Sequence, residues 1–128
     1  MILLDSTFLI DVLRGRPETE KILNSSEKLL TTQINMYEIM TGIFLKKETA
    51  SRFLQVKEFF EQISVLPLED NGILKAAEIN ARLLQKGEII EDCDCLTAGI
   101  ALSNGITTIV TKNKKHFERI KELKIMNY

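Results

Sequence analysis

The chain has 128 residues, 45% of them hydrophobic and 27% charged, with a formal net charge of −1. That length and apolar share predict one domain over residues 1–128 with a single core. The near-neutral balance argues against nucleic-acid binding by bulk charge, though not by local basic patches, and the lack of a long apolar run or leader predicts a soluble, cytoplasmic protein.

Ile2-Leu3-Leu4 is a short apolar run. Asp5-Ser6-Thr7 follows, a cluster of helix-capping types, and then Phe8, Leu9, Ile10, Val12 and Leu13 near helical spacing. This reads as a buried strand, a tight turn and a helix, with Asp5 at the strand's C-terminal end. In open α/β sheets that edge binds ligands; a plain helix cap is the alternative role for Asp5. Gly15 and Pro17 end the helix. Glu18 to Ser25 reads as a short helix and Leu29 to Thr32 as a second strand. Asn35 to Lys46 reads as a helix with Asn35 as N-cap and Glu38 three residues on, a capping-box spacing that offers Glu38 a purely structural role. Gly42 inside it predicts close packing against a neighbour.

Thr49 to Ile63 is amphipathic, with Phe53, Val56, Phe59, Phe60 and Ile63 on one side. Ser64 to Leu68, broken by Pro67, suits an edge strand. Asp70 is expected to cap a helix through Gln85, with Ile73, Leu74, Ala77, Leu83 and Leu84 in the core. Glu88 to Asp92 reads as a connector and Asp94 to Ser103 as a helix whose Ala98, Gly99 and Ala101 permit close approach. Thr107 to Thr111 is a β-branched strand, Lys112 to Lys115 a polar loop, Phe117 to Leu123 a last helical turn or two, and Ile125-Met126 an edge strand. Strands alternating with helices predict a three-layer α/β/α fold around a parallel sheet of four to five strands.

The acidic residues at element junctions are Asp5, Glu38, Asp92 and Asp94. Asn113 follows the last β-branched strand, on the same sheet edge as Asp5. Converging carboxylates repel unless a cation joins them, and the economical cation is Mg²⁺ or Mn²⁺, which takes oxygen ligands. Such a site suits phosphodiester hydrolysis. Cys93 and Cys95 are too close for a structural disulfide, and two thiols with one histidine make no zinc site; they read as packing residues. Thr7 is placed to hydrogen-bond a site carboxylate or water, or only to cap its helix. Ser6 reads as a turn residue, Asp92 as a cap or turn former that could instead contribute to the carboxylate site, and His116 as a solvated side chain, with a general base as its lesser alternative. Arg14, Arg16, Lys112, Lys114 and Lys115 are candidates for phosphate contacts, each also explained as a solvated charge.

Three segments, in order, carry a family resemblance. ILLDSTFLIDVLRG, INMYEIMTGI and DCDCLTAGIALSNGITTIVTKNKKHF resemble the acidic segments of the PIN-domain family, in particular the VapC-type toxins of prokaryotic toxin–antitoxin pairs. The resemblance makes Asp5, Glu38 and Asp94 the family's first three acids and puts Asn113 at the fourth acidic position. It implies a PIN-like fold, an Mg²⁺- or Mn²⁺-dependent endoribonuclease, an RNA substrate, a small antitoxin that blocks the site, and a possible homodimer. Asp5, Glu38 and Asp94 would hold the metal, with Asn113 and Thr7 orienting water or phosphate. The chain departs from the pattern in lacking a fourth carboxylate: Asn113 is neutral, and His116 stands where such members often carry a further acid. Two alternatives stay open: an RNA-processing or decay nuclease without antitoxin, and a non-catalytic RNA- or protein-binding domain. A phosphotransferase with Asp5 as nucleophile is disfavoured, since that pattern wants an acid where Thr7 stands.

Overall fold

A computed structural model describes residues 1–128. The strands are β1 (Ile2–Leu4), β2 (Leu29–Thr32), β3 (Ser64–Leu66), β4 (Thr108–Val110) and β5 (Lys124–Met126). The helices are α1 (Ser6–Leu13), α2 (Glu20–Leu23, entered through a 3-10 turn at Pro17–Thr19), α3 (Gln33–Leu45), α4 (Ala50–Gln62), α5 (Asp70–Lys86), α6 (Asp92–Ser103) and α7 (Lys114–Phe117).

All four strand pairings are parallel, in the order β3-β2-β1-β4-β5. Alternation along each strand splits the core into two layers. Leu3 and Ile109 face Ile79, Leu83, Ala98 and Phe117 of the α5–α6 side. Ile2, Leu4 and Val110 face Phe8, Ile39, Val56 and Phe60 of the α1–α3–α4 side. Helices on both faces give the expected three layers. The chain leaves β1 in one direction to β2 and β3, and later returns to β1's other side as β4. Strand order therefore reverses between β1 and β4, the place where open α/β sheets form a crevice beyond their strand ends.

Several local expectations are corrected. The N-cap of α3 is Thr32, whose hydroxyl accepts from the Asn35 N–H at 3.2 Å. Asn35 lies inside the first turn, and Glu38 is too far along to close a capping box. Gly42 packs against nothing; a Cβ there would meet no atom within 4 Å. Asp70 opens α5 but Glu69 holds the cap position. Of the α5 residues expected in the core only Leu83 is buried; Ile73, Leu74, Ala77 and Leu84 are exposed. Gly72, Ala76 and Ile79 are buried instead, because they face the small residues of α6. A Cβ on Gly99 would come within 2.7 Å of the Ala76 nitrogen and 2.5 Å of the Gly72 carbonyl, so the two backbones touch at a glycine. The helix expected from Asp94 begins at Asp92, and the last one covers Lys114–Phe117 rather than Phe117 to Leu123. Gly87 (φ 67°) and Gly105 (φ 74°) end α5 and α6 in the left-handed region, as expected of helix-stopping glycines.

Candidate active site

Asp5 is the residue after β1 and occupies the N-cap position of α1, yet its side chain makes no capping bond. The carboxylate turns into the crevice between β1 and β4 and is 3% exposed. Its Oδ1 accepts from Asn35 Nδ2 at 3.1 Å. Its Oδ2 accepts from Thr111 Oγ1 at 2.7 Å and from Thr7 Oγ1 at 3.3 Å. Thr7 in turn accepts the Lys112 backbone N–H at 2.9 Å and contacts Thr111 at 3.2 Å. Of the roles open to Thr7, the bond to the carboxylate is the one observed.

Asn35 is fully buried and uses its whole amide. Its oxygen accepts from Thr31 and Thr32; its nitrogen donates to Asp5 and to Ser6 Oγ. Ser6 then donates to Glu38 Oε1 at 2.8 Å. A buried chain thus runs from the end of β2 through Asn35 to Asp5 and Ser6, and on to Glu38. Ser6, read from the sequence as a turn residue, is the hydroxyl that holds Glu38, and Asn35, read as a cap, is the bracket between two of the acids. Their partners lie about thirty residues away along the chain, beyond the reach of any local pattern.

Asp94 sits in the first turn of α6 and is 6% exposed. Its Oδ2 lies 3.0 Å from Asn113 Nδ2 and 2.6 Å from His116 Nδ1. His116 is therefore part of the site and not a solvated side chain. The turn after β4 and the short α7 carry it there, anchored by the buried Phe117. Asp92 is exposed, borders a hollow on the α5 side with Ala76, Ala77 and Asn80, and stands apart from the site.

Burial raises the pKa of Glu38, and the nearby charges of Asp5 and Asp94 raise it further against the lowering effect of the Ser6 hydrogen bond. Burial likewise raises Asp94, with Asp5 adding to it, while His116 opposes the shift. Asp5, Glu38 and Asp94 are thus close enough to feel one another's charge. Burial and the charges of Glu38 and Asp94 also push the Cys93 thiol up, which keeps it protonated and unreactive. Cys95 is buried with its Sγ 3.8 Å from Asn80 Oδ1. Both cysteines are packing residues, as expected.

No three or more His, Cys, Asp or Glu side chains come close enough to cage an ion on their own. Both Asp5 oxygens accept hydrogen bonds, whereas Glu38 Oε2 and Asp94 Oδ1 have no protein partner. Of the basic residues singled out, Lys112 pairs with Asp11 at 2.6 Å and stands 5.2 Å from the Tyr128 ring centre. Lys114 and Lys115 are exposed at the start of α7. Arg14 borders a cavity of about 120 Å³ between α1, α3 and α4 that opens beside Glu38; Arg16 is exposed on the loop beyond. No helix is long and apolar enough to cross a membrane.

The chain is similar to known proteins over nearly its full length. The tRNA(fMet)-specific endonuclease VapC of Salmonella typhimurium is 25% identical over 128 residues, spanning 98% of this chain and 96% of that protein. Ribonuclease VapC1 of Methanocaldococcus jannaschii is 30% identical, spanning 99% of this chain and 86% of that protein. Among solved structures, a chain of VapBC2 from Rickettsia felis, bound to a promoter DNA fragment, shares the fold with a TM-score of 0.87 at 23% identity, covering 100% and 99% of the two chains. A chain of the DNA-bound VapBC from Salmonella typhimurium gives 0.83 at 27% identity, covering 98% and 96%. The PIN domain family matches residues 2–123, and with the sheet order, the switch-point crevice and these relatives in agreement, the chain belongs to that family.

Proposed function

We propose that this chain is an Mg²⁺- or Mn²⁺-dependent endoribonuclease, the toxin of a toxin–antitoxin pair acting in the cytoplasm, where its RNA substrate is found. The observation that carries this reading is that the three acids share the strand-end edge at the β1/β4 switch point, Asp5 and Glu38 bridged by Asn35 and Ser6, and Asp94 tied to Asn113 beyond β4. The names of the VapC relatives support the activity, and the VapBC complexes support the partner.

The donor set fits a hard divalent cation. It offers carboxylate and amide oxygens, two of the carboxylate oxygens lack protein partners, and Mg²⁺ ordinarily keeps several waters and takes only one or two carboxylates. Asp5, Glu38 and Asp94 would hold it, directly or through water. When bound, such a cation neutralises the clustered acids and polarises the phosphodiester for attack.

The chain's own residues supply the rest. Asn35, Thr7 and Thr111 fix the Asp5 carboxylate in one orientation, so its geometry is set before substrate arrives. Glu38, raised by burial and like charges, is suited to take a proton from the attacking water through its unpartnered oxygen. Asn113 would orient water or phosphate beside Asp94, while Thr7 acts through the Asp5 carboxylate it holds. Lys114, Lys115 and Arg14 attract the backbone of the RNA without reading its sequence. The antitoxin would meet an acidic crevice and is expected to present Arg or Lys to it.

The test is cleavage of a structured RNA by the purified, antitoxin-free chain. Activity is expected to vanish in EDTA and to return with excess Mg²⁺ or Mn²⁺. Undiminished cleavage in EDTA would refute the metal dependence, and none under any metal would favour a binding domain.

A further inference from the structure

The contacts around Asp94 do not close as a hydrogen-bond network. Asp94 Oδ2, Asn113 Nδ2 and His116 Nδ1 are all mutual neighbours, with separations of 3.0 Å, 2.6 Å and 2.9 Å. An ionised Asp94 only accepts. To bond Asp94, His116 Nδ1 must carry a hydrogen; to take one from Asn113, the same atom must offer a lone pair. With Asp94 ionised and the ring oriented as it stands, it cannot do both, so one edge of the triangle sets like against like. Turning the Asn113 amide over moves the conflict to the Asp94 edge, where two oxygens then meet. Asn35, in the same crevice, shows what a satisfied amide looks like there: every donor and acceptor is used.

A cation between the three atoms removes the conflict. Carboxylate oxygen, amide oxygen and imidazole nitrogen then all point lone pairs inward. The separations suit this, because adjacent ligands at right angles on bonds of about 2.1 Å lie roughly 3 Å apart. The remaining positions are open to water, to Asp94's neighbours across the crevice and to a phosphate oxygen.

We propose that Asp94, Asn113 and His116 form one face of a coordination shell for a divalent first-row transition ion, with His116 as a direct nitrogen ligand. This deepens the nuclease reading and rests on Asp94 being a metal ligand. Its consequence is selectivity. A fourth carboxylate would add charge and serve Mg²⁺ as well as any divalent ion. A neutral amide and an imidazole add no charge, and the imidazole favours transition ions over Mg²⁺. The site thereby exchanges general electrostatic affinity for discrimination by ligand type.

His116 is the only histidine in the chain, which makes the test specific. Mn²⁺ is titrated into the metal-stripped, tag-free full chain, once with natural and once with ¹⁵N-labelled histidine, and pulsed electron paramagnetic resonance reads nitrogen coupling to the ion. A coupling that changes with the label, and is absent in His116→Ala, is expected. By calorimetry, His116→Ala should weaken Mn²⁺ by about tenfold or more while moving Mg²⁺ less than about twofold. The labelled wild-type spectrum needs no variant, so a misfolded His116→Ala would not spare the proposal. Bound Mn²⁺ that is lost in Asp94→Asn yet shows no histidine coupling overturns this inference and leaves the carboxylate site standing. Equal weakening of both ions overturns it too. No bound Mn²⁺ in the wild type, or binding indifferent to Asp94→Asn, overturns both.

Discussion

A carboxylate that folds into the company of other carboxylates stores their repulsion, and Glu38 is the clearest instance here. Its folded pKa lies above its ordinary value of 4.5, through burial first and the charges of Asp5 and Asp94 after it. The folded state therefore holds the proton more tightly than the unfolded one. Whatever Glu38 contributes is fully present below about pH 4.5 and is lost as the pH rises through the raised value. Glu38→Gln keeps an oxygen to accept from Ser6 but removes the charge. Its melting temperature in EDTA should equal the wild type's near pH 4 and exceed it near pH 7 by about 1–2 °C, a small effect because Glu38 is only half-buried and solvent screens the repulsion. A difference that does not change between the two pH values would show that neither burial nor neighbouring charge raises Glu38. At this scale the sequence pointed to the acids but not to their partners. Asp5, Glu38 and Asp94 stand out because acids at strand and helix ends are conspicuous. Ser6, Asn35 and His116 do not, since a hydroxyl, an amide and a lone imidazole have ordinary local roles, and only the fold sets Ser6 against Glu38 and His116 against Asp94.

At the scale of elements, α5 and α6 show where periodicity misleads. The large apolar residues of α5 mark a face that remains exposed, and the buried face is built from Gly72, Ala76, Ile79 and Leu83. Close helix approach rewards small side chains, which a hydrophobic pattern undervalues. The strands were easier: β1 and β2 are uninterrupted apolar or β-branched runs, and Leu29–Thr32 coincides with the expected segment. The boundary of α3 was missed because Thr32 serves twice, as the last residue of β2 and as the cap of the helix. Two glycine replacements separate packing from propensity. Gly99→Ala drives a methyl into the backbone of α5 and should cost about 2–3 kcal/mol. Gly42→Ala meets open space in the middle of α3 and should stabilise by up to about 1 kcal/mol. Urea denaturation of both variants reads the signs directly; a neutral Gly99→Ala would mean the helices stand further apart than described.

At the scale of the molecule, the parallel sheet explains why residues so distant in sequence share a site. Asp5 follows β1, Asn113 and His116 follow β4, Asn35 and Glu38 follow β2, and Asp94 enters on α6. Parallel strands place all these C-terminal ends on one edge, and the switch between β1 and β4 opens the crevice. The formal net charge of −1 hides this local concentration of acid, which is why composition alone said little about the substrate. A partner that neutralises the crevice should be small and basic where it enters. Co-purification at natural expression levels is expected to yield such a protein, and removing its basic tail should relieve inhibition of RNA cleavage. Recovery of the chain alone would shift weight to an RNA-processing role.

The carboxylate site itself is tested most directly by RNA cleavage with Asp94→Asn, measured beside the wild type in saturating Mn²⁺ after both are shown to be folded. Asparagine preserves the size of the side chain and removes one charge from the crevice. Cleavage should fall by about a thousandfold, the worth of several kcal/mol of charge stabilisation, with the melting temperature in EDTA unchanged or higher. Cleavage at the wild-type rate would contradict the assignment of Asp94, and with it the site built around the β1/β4 crevice.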